Sequence, residues 1–188
     1  MIKALIAVAD GCEEIETIAT YDLLKRAGIQ TKMAALESQD APVTGAHGLK
    51  FMADAALPDL FEDNYDLIVL PGGLPGSENL RDCDLLISML KRQKRENRWI
   101  AAICAAPAYV LGTHGLADGA KITTYPGCEK LLGQAAIHVD AGVCVDSQAK
   151  IITAKGPGFA NAFALAIIAN LSGEQKMKDV AAAALIGG

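Results

Sequence analysis

Short apolar runs rich in β-branched residues alternate along this chain with longer segments whose apolar positions recur every three or four residues. Ile2–Val8, Leu67–Leu70, Ile100–Ile103 and Ile151–Thr153 have the continuous apolar character of strands buried on both faces. Thr31–Leu36 and Ile122–Thr124 are expected to add two strands. Between them, Glu13–Ala27 sets Ile15, Ile18, Ala19, Leu23 and Ala27 on an approximately helical stripe, and Gly28 supplies its stop. Glu78–Asn97 turns Leu86, Ile87 and Leu90 inward and Lys91, Arg92, Lys94 and Arg95 outward. Phe159–Leu171 and Gln175–Ile186 read as two closing helices. Val43–Met52 and Ile137–Asp146 read as hairpin or edge additions.

Strand alternating with helix specifies an α/β fold: a doubly wound, mainly parallel sheet covered on both faces. The 188 residues suit one domain over 1–188, with no internal repeat or domain-splitting linker. In such a sheet, ligands sit at the carboxyl ends of the strands.

Composition narrows the function classes. The chain is 52% hydrophobic and 21% charged with net charge −5, enough apolar surface for a large core and a partner subunit. No basic block is interleaved with aromatics, which argues against nucleic acid, and the basic run Lys91–Arg95 reads as a solvated helix face. No apolar stretch is long enough to span a bilayer, so no membrane role is expected. The strand-like start is too short for a signal peptide, and a cytoplasmic protein is expected. The cysteines Cys12, Cys83, Cys104, Cys128 and Cys144 form no C-x-x-C pair and no Cys/His cluster. They read as free thiols in a reducing compartment, with no metal.

Three strand ends carry the candidate chemistry. After Ile100–Ile103 stands Cys104, flanked by the small residues Ala102, Ala105 and Ala106 and followed by Pro107. This pattern fits a sharp strand-to-helix turn, and the helix end would stabilise a thiolate; a buried, inert cysteine remains the alternative. After Leu67–Leu70 comes "PGGLPG", whose Gly72 or Gly73 amides are candidate oxyanion donors. Its spacing matches neither G-x-G-x-x-G nor a Walker motif. After the first strand come Glu13, Glu14 and Glu16. Macrodipole complementarity accounts for the first two. Glu16, at the edge of the buried stripe, can lean toward the thiol, where burial would raise its pKa.

These loops together resemble the ThiJ/PfpI superfamily, on the branch that includes the parkinsonism-associated protein deglycase. The matching segments are "EEIET" with "DLLKRAGI", "YDLIVLPGG", "AAICAAP", "KITTYP" and "GPG" before a helix, and they span nearly the whole chain. The resemblance implies a flavodoxin-like sandwich akin to class I glutamine amidotransferases, and a homodimer. It makes Cys104 the reactive cysteine and Glu16 its acidic partner, with oxyanion donors at Gly73 and Ala105. Pro157 would approach the active site of a second subunit. Two departures stand out. Ala105 occupies the position of the histidine that follows the cysteine in the protease-like branch, so peptidase or amidase activity is disfavoured. Tyr125 stands where relatives carry a histidine in "TT-x-P". His47, His114 and His138 match no catalytic motif. The expected activity is cofactor-free conversion of small α-oxoaldehydes, or of glycated protein adducts, to 2-hydroxy acids. A redox sensor or chaperone using the same thiol is the alternative.

Overall fold

The computed structural model describes residues 1–187. Its strands are β1 (Lys3–Val8), β2 (Gln30–Ala35), β3 (Val43–Thr44), β4 (Lys50–Phe51), β5 (Ala55–Ala56), β6 (Leu67–Leu70), β7 (Trp99–Ile103), β8 (Lys121–Ile122), β9 (Ile137–His138), β10 (Val143–Asp146) and β11 (Ile151–Ala154). The helices are α1 (Glu14–Arg26), α2 (Gly76–Arg81), α3 (Asp84–Arg95), α4 (Ala160–Ser172) and α5 (Glu174–Ala183), with a π-helical segment at Pro107–Gly112. Seven strands form the central sheet in the order β10-β11-β7-β6-β1-β2-β5, parallel except for the edge strand β10. β3–β4 and β8–β9 form two small separate sheets.

The chain winds outward from β1 to β2, returns to β6 on the other side of β1, and continues to β7 and β11. This reversal of direction opens a crevice at the carboxyl ends of β1 and β6. One face of the sheet is covered by α1, α4 and α5, through Leu23, Leu24, Phe163, Ile167, Ile168 and Val180. The other is covered by α3 and the π-helical segment, through Leu86, Leu90, Val110 and Leu111. Each such fully buried side chain contributes about 1.5–3 kcal/mol, and the two layers fix the strand ends between them.

The structure changes several local expectations. Ile15 and Ile18 of α1 are 57% and 37% exposed, while Glu16, Thr17, Thr20, Leu23 and Leu24 face inward. Thr17 can be buried because its hydroxyl donates to the Glu13 carbonyl at 2.7 Å. The expected helix Glu78–Asn97 is two helices broken at Asp82 and Cys83. The strand expected over Ile122–Thr124 ends at Ile122, because the Thr123 amide donates to the Thr153 hydroxyl of β11 and the Thr124 hydroxyl to the Cys104 carbonyl instead. β5, too short to register as an apolar run, adds an edge strand.

Candidate active site

The backbone at Cys104 is the first unusual feature. Its φ is +64°, a left-handed conformation that costs a non-glycine residue on the order of 1–3 kcal/mol. Neighbouring loops hold it there. The Cys104 amide donates to the Ala154 carbonyl at 2.8 Å, and its carbonyl accepts from the Tyr125 amide at 2.7 Å and the Thr124 hydroxyl at 2.9 Å. Chain direction reverses at Ala105 and Ala106 into the π-helical segment, where Pro107 costs no hydrogen bond. The expected regular α-helix is replaced by this six-residue segment. The groups that stabilise charge on the sulfur are therefore local amides, those of Gly73 and Ala105.

Glu16 is 1% exposed. Glu13 caps α1 with its carboxylate on the Glu16 amide at 2.7 Å, but the reciprocal half of a capping box is absent. The Glu13 amide instead donates to the Gly72 carbonyl at 3.0 Å, and Glu16 Oε2 accepts from the Gly72 amide at 2.7 Å. Gly72 is thus committed to Glu16, which leaves Gly73 and Ala105 as the donors facing the sulfur and removes Gly72 from that role. A side chain at Gly72 has no room: its Cβ would lie 2.5 Å from Cys104 Cβ and 2.7 Å from Glu16 Oε2. Gly73 has φ +86°, and a Cβ there would meet the backbone of Gly11 and Glu13.

The charge of Glu16 acts on the Cys104 thiol beside it. The contact falls short of a fully formed bond, and Glu16 Oε1 is buried without a partner. Burial, opposed by the Gly72 hydrogen bond, raises the Glu16 carboxyl to about 7. Burial and the Glu16 charge push the Cys104 thiol up to about 12. The helix-end lowering expected from the sequence is thus outweighed while Glu16 is ionised. The two groups therefore titrate as a coupled pair. When the proton sits on Glu16, the repulsion vanishes and Oε1 becomes a donor to sulfur.

Tyr125 is 48% exposed, and its ring lies beside Gly156. Pro157 begins a short turn next to Gly156 in the same chain. Two contributors escape the sequence reading. Thr124 reaches the Cys104 carbonyl, and Gly156 faces the sulfur; the "TT-x-P" and "GPG" segments signalled both places without revealing either role.

The two carboxylates that precede Glu16, Glu13 and Glu14, are occupied. Glu14 accepts from the His47 amide at 2.6 Å and pairs with His47 Nδ1 at 2.9 Å, clasping the loop after β3. Burial works to raise Glu14, but these hydrogen bonds hold it below its ordinary value. Glu13, Glu14 and His47 bring possible ligand atoms within 4.8 Å of one another, yet these groups already bond each other and the backbone. A cavity of about 540 Å³ lies away from Cys104, against Val8–Asp10, Ala35–Ser38 and Cys83. Its Asp82 is held by Arg81, at 2.7 and 2.8 Å. All five cysteines are free, and no helix among the described residues is long and apolar enough to cross a membrane.

Comparison with known proteins places this geometry in context. The model of the DJ-1/PfpI family matches residues 2–170. Protein DJ-1 homolog A of Arabidopsis thaliana is 42% identical over 97% of this chain, which spans 46% of that relative's length. The glutathione-independent glyoxalase DJR-1.2 of Caenorhabditis elegans is 36% identical over 91% of this chain and 89% of its own. The crystal structure of Drosophila melanogaster DJ-1beta superposes with a TM-score of 0.94 at 37% identity, covering 100% of this chain and 99% of that one.

Proposed function

This chain belongs to the DJ-1/PfpI family, and we propose that it converts small α-oxoaldehydes such as glyoxal and methylglyoxal, or their early adducts with protein, to 2-hydroxy acids without a cofactor. The observation that carries this reading is the buried Glu16–Cys104 pair, a carboxyl raised by burial against a thiol, beside amide donors at Gly73 and Ala105. A relative named as a glutathione-independent glyoxalase supports it.

The steps follow from the groups present. With its proton on Glu16, the Cys104 thiolate adds to the aldehyde carbon, and the new oxyanion rests against the Gly73 and Ala105 amides. Glu16 protonates that oxygen, giving a hemithioacetal, and is left as carboxylate. It then removes the proton from the former aldehyde carbon, and the electron pair moves onto the neighbouring ketone to form an enediol. Glu16 takes the proton from the hydroxyl on the first carbon and a proton is delivered to the second, which gives a thioester of the 2-hydroxy acid. Water cleaves the thioester, releasing the acid and restoring the thiol. The net reaction adds one water to the oxoaldehyde and needs no external oxidant. A Cys–His relay of the peptidase kind has no histidine to use at Ala105.

The protein acts as a homodimer in the cytoplasm on this reading. The outward Ile15 and Ile18 of α1 supply an apolar face that can pair about a two-fold axis, with Pro157 near the partner's site. Leu24 of the same helix is fully buried and is no part of that face. The deciding experiment is methylglyoxal consumption by the purified protein with identification and chirality of the lactate released. Stereospecific lactate that disappears in Cys104→Ser supports the reading; no lactate from the wild type overturns it.

A further inference from the structure

Gly156 follows β11 and lies over the Cys104 sulfur. Its position is fixed on both sides: the Lys155 amide donates to the Gly142 carbonyl at 3.0 Å, and the Phe159 amide to the Gly156 carbonyl at 2.8 Å. Its backbone does not call for glycine, since a φ of 162° is extended chain open to any residue. Packing does not call for it either. A Cβ built there would lie 3.4 and 3.7 Å from Cδ2 and Cε2 of Tyr125 and 4.0 Å from Cys104 Sγ, all ordinary contact distances. A methyl group fits at this position, but it would stand between the sulfur and the Tyr125 ring.

The surrounding groups give that space its meaning. Its inner wall is rigid: Gly72 leaves no room beside Cys104 Cβ and Glu16 Oε2. Its outer wall is the Tyr125 ring, whose own amide is tied to the Cys104 carbonyl at 2.7 Å. The backbone that carries the wall and the backbone of the nucleophile are therefore tied to each other. A reacting carbonyl that approaches past the Tyr125 ring meets the gap that the missing side chain leaves open.

We infer that Gly156 and Tyr125 form a size filter over the Cys104 sulfur, selecting free, short α-oxoaldehydes over aryl-substituted ones and over adducts carried on a protein. The inference rests on Cys104 being the nucleophile of the proposed reaction and names which of the proposed substrates the site accepts. In a close-fitting pocket one methylene changes discrimination by about 10–200-fold, so a methyl added at the filter should act on that scale.

The test compares wild type, Gly156→Ala and Tyr125→Ala in two assays. The first measures kcat/KM for glyoxal, methylglyoxal and phenylglyoxal. The second measures alkylation of Cys104 by iodoacetamide and by N-phenylmaleimide, read on the Cys104 peptide by mass spectrometry. Gly156→Ala should lower phenylglyoxal relative to glyoxal by about tenfold or more, with methylglyoxal between them. Tyr125→Ala should shift that ratio the other way, and the two alkylating reagents should rank in the same order. Ratios unchanged in both variants overturn the filter. If the wild type turns over no oxoaldehyde, the enzymatic reading fails while the alkylation ratios still decide the filter. If Gly156→Ala does not fold, Tyr125→Ala, altered at a half-exposed side chain, decides it alone.

Discussion

Glu16 Oε2 accepts the Gly72 amide at 2.7 Å, while Oε1 of the same carboxyl is buried with no partner. One oxygen is thus anchored and the other is left for a proton. An ionised carboxylate would bury an unsatisfied acceptor at Oε1, whereas a protonated one turns that atom into a donor toward the Cys104 sulfur. Glu16→Gln keeps an amide donor but cannot shuttle a proton. Methylglyoxal turnover should fall by about 10²–10⁴-fold, while ultraviolet titration should find the thiol ionising at lower pH than in the wild type, because the like charge is gone. Glu16→Asp draws the carboxyl back by one methylene and should also lower turnover. Unchanged turnover in Glu16→Gln would remove it from the mechanism.

The same carboxyl makes stability depend on pH. Its folded value of about 7 lies above the ordinary 4.5, so between these values the native state holds a proton that the unfolded chain has released. This contribution is fully present below pH 4.5 and is lost as pH rises through 7. Denaturant unfolding should show the wild type losing roughly 3 kcal/mol relative to Glu16→Gln across that window. Parallel pH profiles for the two proteins would mean that Glu16 is not shifted upward.

Cys104→Ser should abolish turnover at little cost in stability, because the hydroxyl fits the same space but lacks thiolate nucleophilicity. Cys12, Cys83, Cys128 and Cys144 should each tolerate serine or alanine without large loss of activity. Near-normal turnover in Cys104→Ser would exclude a covalent route. Peroxide treatment followed by mass spectrometry of the wild type also tests the redox-sensor alternative, which requires Cys104 to oxidise ahead of the other four thiols.

Thr124 holds the backbone of the nucleophile through its hydroxyl. Thr124→Val removes its 2.9 Å hydrogen bond to the Cys104 carbonyl and leaves the left-handed turn to the Tyr125 amide and the Cys104 amide's bond to the Ala154 carbonyl. The expected cost is about 1 kcal/mol of stability. kcat should fall on the order of ten- to a hundredfold through misplacement of the sulfur, with KM little changed. Thr124→Ser should restore kcat; if valine and serine behave alike, the hydroxyl does not position Cys104.

Ile15→Glu with Ile18→Glu should separate the proposed dimer, since both side chains lie outside the core and charge there opposes only association. Sedimentation should find wild type at twice the 19.6 kDa chain mass and the variant at that mass. A wild-type monomer at micromolar concentration would refute the assembly.

The amino-acid pattern determines the parallel sheet because strands buried on both faces must be almost wholly apolar, and β1, β6, β7 and β11 are. It also marks the strand ends where chemistry gathers, since small residues around Cys104 and glycines after β6 announce sharp turns. Tertiary structure decided what local periodicity cannot encode. Polar Thr17 and Thr20, not Ile15 and Ile18, face inward on α1, and Thr17 meets its polar demand by bonding within the helix. Which glycine amide serves Glu16 and which faces the sulfur depends on contacts between β6, α1 and β7, elements far apart in the chain. The protonation of Glu16 and Cys104 follows from their joint burial: desolvation and mutual repulsion act only once folding has brought the two acids together.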